Sequence, residues 1–166
     1  MTAILGVDLG ERRIGIAIAD APGAGARPLS TIRRGREIAS DVSALRALID
    51  ANGVGALVVG LPIDAAGHEG EQAARTRAWV DAVQAGLGDD VVIALQDERL
   101  TSHVAETRIG PMPRGRSGGP PSRQQRDAYR ARVDREAAAI ILQDFLDSRR
   151  AIGSARIRPS TMEPRP

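Results

Sequence analysis

The chain of 166 residues contains no cysteine, which removes a disulfide scaffold, a thiol nucleophile and a zinc site built on thiolates. Its two histidines, His68 and His103, are too few for a histidine-rich metal centre and read as surface or loop residues. Lysine is missing as well, so all 23 basic residues are arginine. That exchange runs through every segment without regard to position, and a coding bias explains it first. With one Trp, one Tyr and one Phe, the chain has no platform on which successive bases could stack; Trp79 and Phe145 read as core. The opening residues Met1-Thr2-Ala3-Ile4 lead straight into a strand pattern, without a basic region, a long apolar stretch and a small-residue cleavage site. The expectation is a cytoplasmic protein with no membrane association. At this length one domain suffices, burying about two thirds of its unfolded surface.

The formal net charge of +2 is small but unevenly spread. From Arg108 to Arg135 there are eight arginines against Asp127 and Asp134, and from Arg149 to Pro166 five against Glu163. Such local excess draws phosphates and favours nucleic acid or an acidic surface as partner.

Residues 4–9 and 14–19 read as a hairpin around Gly10-Glu11-Arg12-Arg13, and a third short strand over 28–32 makes a meander. Val42, Leu45, Leu48 and Ile49 recur at helical spacing over 41–51, stopped by Asn52-Gly53. Ala56 to Pro62 holds no polar residue, the pattern of a strand buried on both faces. Residues 71–87 read as a helix, 91–95 as another apolar strand, and Thr101 or Ser102 caps a short helix to Arg108. Glycine and proline then dominate 110–121, and order resumes near Val133 in a final apolar helix. The expected fold is α/β: one mixed five-stranded sheet, an antiparallel three-stranded meander plus two parallel strands, flanked by helices. The domain is placed at 1–148, with a mobile basic loop over 110–126 and a disordered tail over 149–166.

Asp8 falls inside the first apolar run. A buried carboxylate there must be protonated, paired with arginine or bound to a metal, because an unpaired buried charge costs several kcal/mol. Glu98 follows the last strand, and Asp134 shares a helical stripe with Ala138, Ile141 and Phe145 that faces the sheet. In an open sheet with crossovers, ligands gather at the carboxyl ends of parallel strands. Three acids meeting there would raise one another's pKa, whereas a divalent cation keeps all three ionised. Magnesium and manganese favour such oxygen donors. Other roles stay open: Asp8 in an Asx-turn or paired with Arg12 or Arg13, Glu98 paired with Arg99, and Asp134 as a helix N-cap. Asp97 rivals Glu98, since alternation lets only one of the two face the site.

Taken together, these pieces resemble the YqgF/RuvX family of RNase H-like pre-16S rRNA nucleases, also described as Holliday junction resolvase homologues. The resemblance covers about 3–148. Its carriers are Gly6-Val7-Asp8-Leu9-Gly10 with Arg13-Ile14-Gly15-Ile16-Ala17 and Asp20; Val58-Val59-Gly60-Leu61-Pro62 followed by Gly67; Asp97-Glu98-Arg99-Leu100-Thr101-Ser102; and Val133-Asp134 leading into Ala137-Ala138-Ala139-Ile140-Ile141-Leu142. It implies an RNase H-like domain with Asp8, Glu98 and Asp134 as catalytic, metal-binding carboxylates for one or two Mg2+ or Mn2+ ions, and Thr101 and Asp97 as secondary candidates. It also implies hydrolysis of structured RNA, at the 5′ end of pre-16S rRNA, or of branched DNA, with ribosomal precursor particles as partners and a monomer or homodimer as the working form. Arg13 and Arg99 would contact phosphate or order the acids, with structural ion pairing as the alternative, and Arg114, Arg116, Arg123 and Arg126 would present charge to nucleic acid. Trp79 stands where the family usually has phenylalanine, and the basic segment before the last acid is longer than usual. Two other classes remain. One is an actin-like nucleotide-binding fold, which needs a second such domain; the other is a non-catalytic rRNA-binding module.

Overall fold

The structure, a computed structural model, describes residues 2–21, 23–98, 101–115 and 118–155. Two alternating apolar segments, β1 (Ala3–Leu9) and β2 (Arg13–Ala19), pair antiparallel, and the turn closes with the Gly10 N–H donating to the Arg13 carbonyl at 2.9 Å. β3 (Arg27–Arg33) continues the meander against β2. Helix α1 (Ile38–Asn52) stops at Gly53, whose φ of 61° is left-handed and whose N–H caps the Ile49 carbonyl. β4 (Val54–Pro62) then lies parallel to β1, α2 (Glu71–Leu87) crosses back, and β5 (Val92–Glu98) lies parallel to β4. The sheet order is β3-β2-β1-β4-β5. This is the mixed sheet expected from the sequence, a meander extended by two βαβ crossovers.

Alternation sends the side chains of each strand to two different layers. Leu5, Val7, Ile14, Ile16, Ile18, Leu57 and Val59 pack with Leu45 and Ile49 of α1 and Trp79 and Val83 of α2. Each such fully buried aliphatic side chain stabilises the fold by about 1.5–3 kcal/mol. The opposite face carries small residues, and Ala17, Ala19 and Val58 meet Ala138, Ile141 and Leu142 of the last helix, α4 (Arg123–Ala155). Two glycines let its backbone rest on the sheet. A Cβ at Gly6 would lie 2.6 Å from the Ala138 carbonyl oxygen, and one at Gly15 would run into that of Asp134.

α4 begins ten residues before the point expected and spans 33 residues. The segment read as loop over 110–126 therefore yields 123–126 to the helix, the segment read as tail yields 149–155, and Asp134 sits in the helix interior rather than at its N-cap. The reason is a capping box: the Ser122 N–H donates to Gln125 Oε1 at 2.8 Å, and the Gln125 N–H donates to Ser122 Oγ at 3.2 Å. The early turns are held by α3 (Thr101–Ile109), where Ala105 packs with Tyr129, Val133 and Ala137. Tyr129 also donates its hydroxyl to the Gly110 carbonyl at 2.9 Å. β5 likewise runs to Glu98 rather than stopping at Leu95, because Gln96, Asp97 and Glu98 stay in register with Gly60, Leu61 and Pro62. It is an edge strand, and Val92 is exposed. Residues 156–166 of the expected tail lie outside the described residues.

Candidate active site

Asp8 sits near the carboxyl end of β1 on the α4 face, directly opposite Gly15 of β2. On its other side, Gly60 follows the last β1–β4 pair, Val7 with Val59. Asp8 is thus flanked by two residues without side chains, and each gap admits an acid. Over Gly15 the backbone of α4 comes down at Asp134, while Glu98 reaches over Gly60, with Oε2 only 2.5 Å from where a Cβ would stand. A central aspartate between two glycines is approached by one carboxylate from a helix and by one from β5, the parallel strand beyond β4.

The electrostatics follow from this crowding. Asp8 keeps partial exposure, yet its pKa is pushed up from 3.8 to about 8, first by burial, then by the charge of Glu98 and then by that of Asp134. Glu98 is also raised, mainly by burial, against a hydrogen bond from the buried Thr101 that pulls the other way. Asp134 is engaged differently: Arg13 Nε donates to its Oδ2 at 2.6 Å, both side chains being less than a quarter exposed. Among the described residues no three acidic or imidazole groups are gathered to ligand distance. Asp8 and Glu98 offer oxygen donors to a cation, and Asp134 keeps Oδ1 for one while its Oδ2 accepts from Arg13.

The remaining candidates scatter. Asp97 is exposed and, one residue from Glu98, points to the opposite face, where its charge acts on Arg77. Arg114, Arg123 and Arg126 are exposed; Arg126 donates to the Pro121 carbonyl at 2.6 Å, and Arg123 lies a loose 3.9 Å from Asp127. Arg99 and Arg116 lie outside the described residues. Arg33, passed over in the sequence, and Arg12, read there only as a possible partner of Asp8, line a pocket with Arg13 and Arg123. The signal was available: once β2 and β3 are paired in register, Arg33 falls opposite Arg13. Also passed over was Asp41, buried on α1 and held by Trp79 Nε1 at 3.0 Å and the Gly35 N–H at 3.0 Å. Trp79 supplies a donor that phenylalanine would lack.

Among the described residues no helix is long and apolar enough to cross a membrane. A family model described as RuvX, Holliday junction resolvase, matches residues 2–148. A protein of Anaeromyxobacter sp. (strain Fw109-5), named "Putative pre-16S rRNA nuclease", is 43% identical over 148 residues, covering 89% of this chain and 98% of that one. A Chloroflexus aggregans protein of the same name is 40% identical over 147 residues, covering 89% and 94%. In fold, the chain is similar to T. thermophilus RuvC solved with a Holliday junction substrate, with a TM-score of 0.53 at 14% identity, covering 91% of this chain and 97% of RuvC.

Proposed function

The chain belongs to the RuvX family, and on that premise we propose that it is a cytoplasmic, divalent-metal-dependent endonuclease that trims the 5′ end of pre-16S rRNA within ribosomal precursor particles. The observation that carries this reading is the row Gly15, Asp8, Gly60 across the sheet, which gathers Asp134 and Glu98 around a carboxyl group that burial and like charge would otherwise keep protonated.

Asp8 and Glu98 would hold a Mg2+ or Mn2+ ion, and Asp134, oriented by Arg13, would complete the set. A divalent ion in such a site supplies a water of lowered pKa and offsets the charge that builds on a phosphate under attack. The protein's own part is positional. β1 fixes Asp8 through its pairing with β2, Thr101 orients Glu98, and the seating of α4 on Gly15 sets the height of Asp134 above the sheet. Arg13 stands between Asp134 and the arginine-rich surface, where the substrate backbone would run.

The test is a cleavage assay on a 16S precursor carrying its 5′ extension and, in parallel, on a synthetic four-way DNA junction, each with and without Mg2+ or Mn2+. The proposal expects metal-dependent cleavage of the precursor and none by a folded Asp8→Asn variant. Cleavage confined to the junction would move the substrate to branched DNA. Cleavage of neither by pure protein with either ion would remove the nuclease reading.

A further inference from the structure

Beside the carboxylates lies a pocket of about 320 Å³ lined by Arg12, Arg13, Thr31, Arg33, Arg123, Asp127 and Ala131, within the 300–1,000 Å³ usual for ligand sites. Its walls come from four elements: Arg12 from the β1–β2 turn, Arg13 and Arg33 from facing positions of β2 and β3, and Arg123 and Asp127 from the first turns of α4. The floor is fixed, because Thr31 Oγ1 donates to the Ala131 carbonyl at 2.8 Å and ties β3 to α4. Four arginines face one carboxylate, and that carboxylate is only loosely engaged by Arg123.

A second, independent observation points to an anion. Arg13 and Arg33 are direct cross-strand partners, and like charges placed opposite each other on one face destabilise a sheet. Asp134 neutralises Arg13; among the described residues no acidic side chain is paired with Arg12 or Arg33. Guanidinium groups bind phosphate oxygens with matched, often bidentate geometry, so the ligand class these residues fit is the phosphodiester group of a nucleic-acid backbone.

We infer that this arginine pocket grips a backbone phosphate of the substrate strand next to the carboxylates, and that Arg13 is shared between that phosphate and Asp134. Arg13 spends only Nε on Asp134, which leaves its terminal N–H groups for the phosphate and ties the pocket to the third acid. This rests on the nucleic-acid reading above and names one subsite for it.

The experiment measures binding without chemistry. In EDTA, a fluorescein-labelled single-stranded RNA is titrated by anisotropy at several salt concentrations, using the full chain, an Arg12→Gln/Arg33→Gln variant, and Arg77→Gln as a control, since Arg77 is exposed and paired with Glu69. The double variant is expected to bind at least ten-fold more weakly at low salt, with the slope of log K against log salt shallower by about 1 to 2, while the control matches the parent. Inorganic phosphate should raise the melting temperature of the parent and leave that of the double variant unmoved, which keeps the inference testable if the variant folds poorly. Parent-like affinity and slope in the double variant would overturn it, as would a parent that binds no RNA. A parent that binds through this pocket yet cleaves nothing would leave the pocket standing and remove the nuclease reading alone.

Discussion

Asp8 was legible in the sequence as a misplaced charge, and its surroundings explain why it matters. Its carboxyl titrates at about 8 in the folded chain against an ordinary 3.8, so between those values the folded state holds a proton that the unfolded state has released. In metal-free protein the contribution of Asp8 to stability is therefore expected to be complete below about pH 4, to fall as pH rises toward 8, and to level off above. Urea midpoints across that range check this, and Asp8→Asn should flatten the profile. A parent with no such fall would mean that the carboxyl is not crowded as described. Asp41 was not legible: nothing in a helical pattern marks one aspartate as buried, and its partners Trp79 and Gly35 come from other segments. Trp79→Phe, which restores the family's usual residue, removes one of those donors and should cost about 1–3 kcal/mol in urea unfolding.

At the scale of elements, β1, β2, β4 and α1 could be read from apolar alternation, helical spacing and the Asn52-Gly53 stop, because each presents an apolar pattern to the sheet core. The start of α4 could not. Residues 123–132 hold one large apolar side chain, Tyr129, and it packs on α3 rather than on the sheet, so no stripe announces these turns. The Ser122 and Gln125 capping box was the available signal. Ser122→Ala should cost about 1 kcal/mol and loosen the first turn that carries Arg123, with hydrogen exchange rising there and not around Ala138. The glycine contacts appear only once α4 is seated. Gly15→Ala forces the backbone at Asp134 off the sheet, and overpacking of this kind costs about 1–3 kcal/mol. The same substitution should weaken Mn2+ binding, because it lifts one of the three acids away from the other two.

Over the whole molecule, charge is divided between a recessed acidic row at the carboxyl ends of β1 and β5 and an arginine surface formed where β2, β3 and α4 meet. Arg13 belongs to both. Neither half could be assembled from spacing alone: the acids come from β1, β5 and α4, and the arginines of the pocket from the start of β2, from β3 and again from α4. Order along the chain puts Asp8 and Glu98 near the carboxyl ends of strands but does not show Asp134 inside α4; the sheet order and the two glycines supply the approach of the other two toward Asp8. These three carboxylates are proposed to hold a divalent ion. The most direct measurement is Mn2+ binding followed by electron paramagnetic resonance, on the parent and on folded Asp8→Asn, Glu98→Gln and Asp134→Asn variants, with the RNA precursor present. The expected result is saturable binding by the parent, near-complete loss in Asp8→Asn and Glu98→Gln, and weakening in Asp134→Asn. Unchanged Mn2+ affinity in all three variants would contradict it.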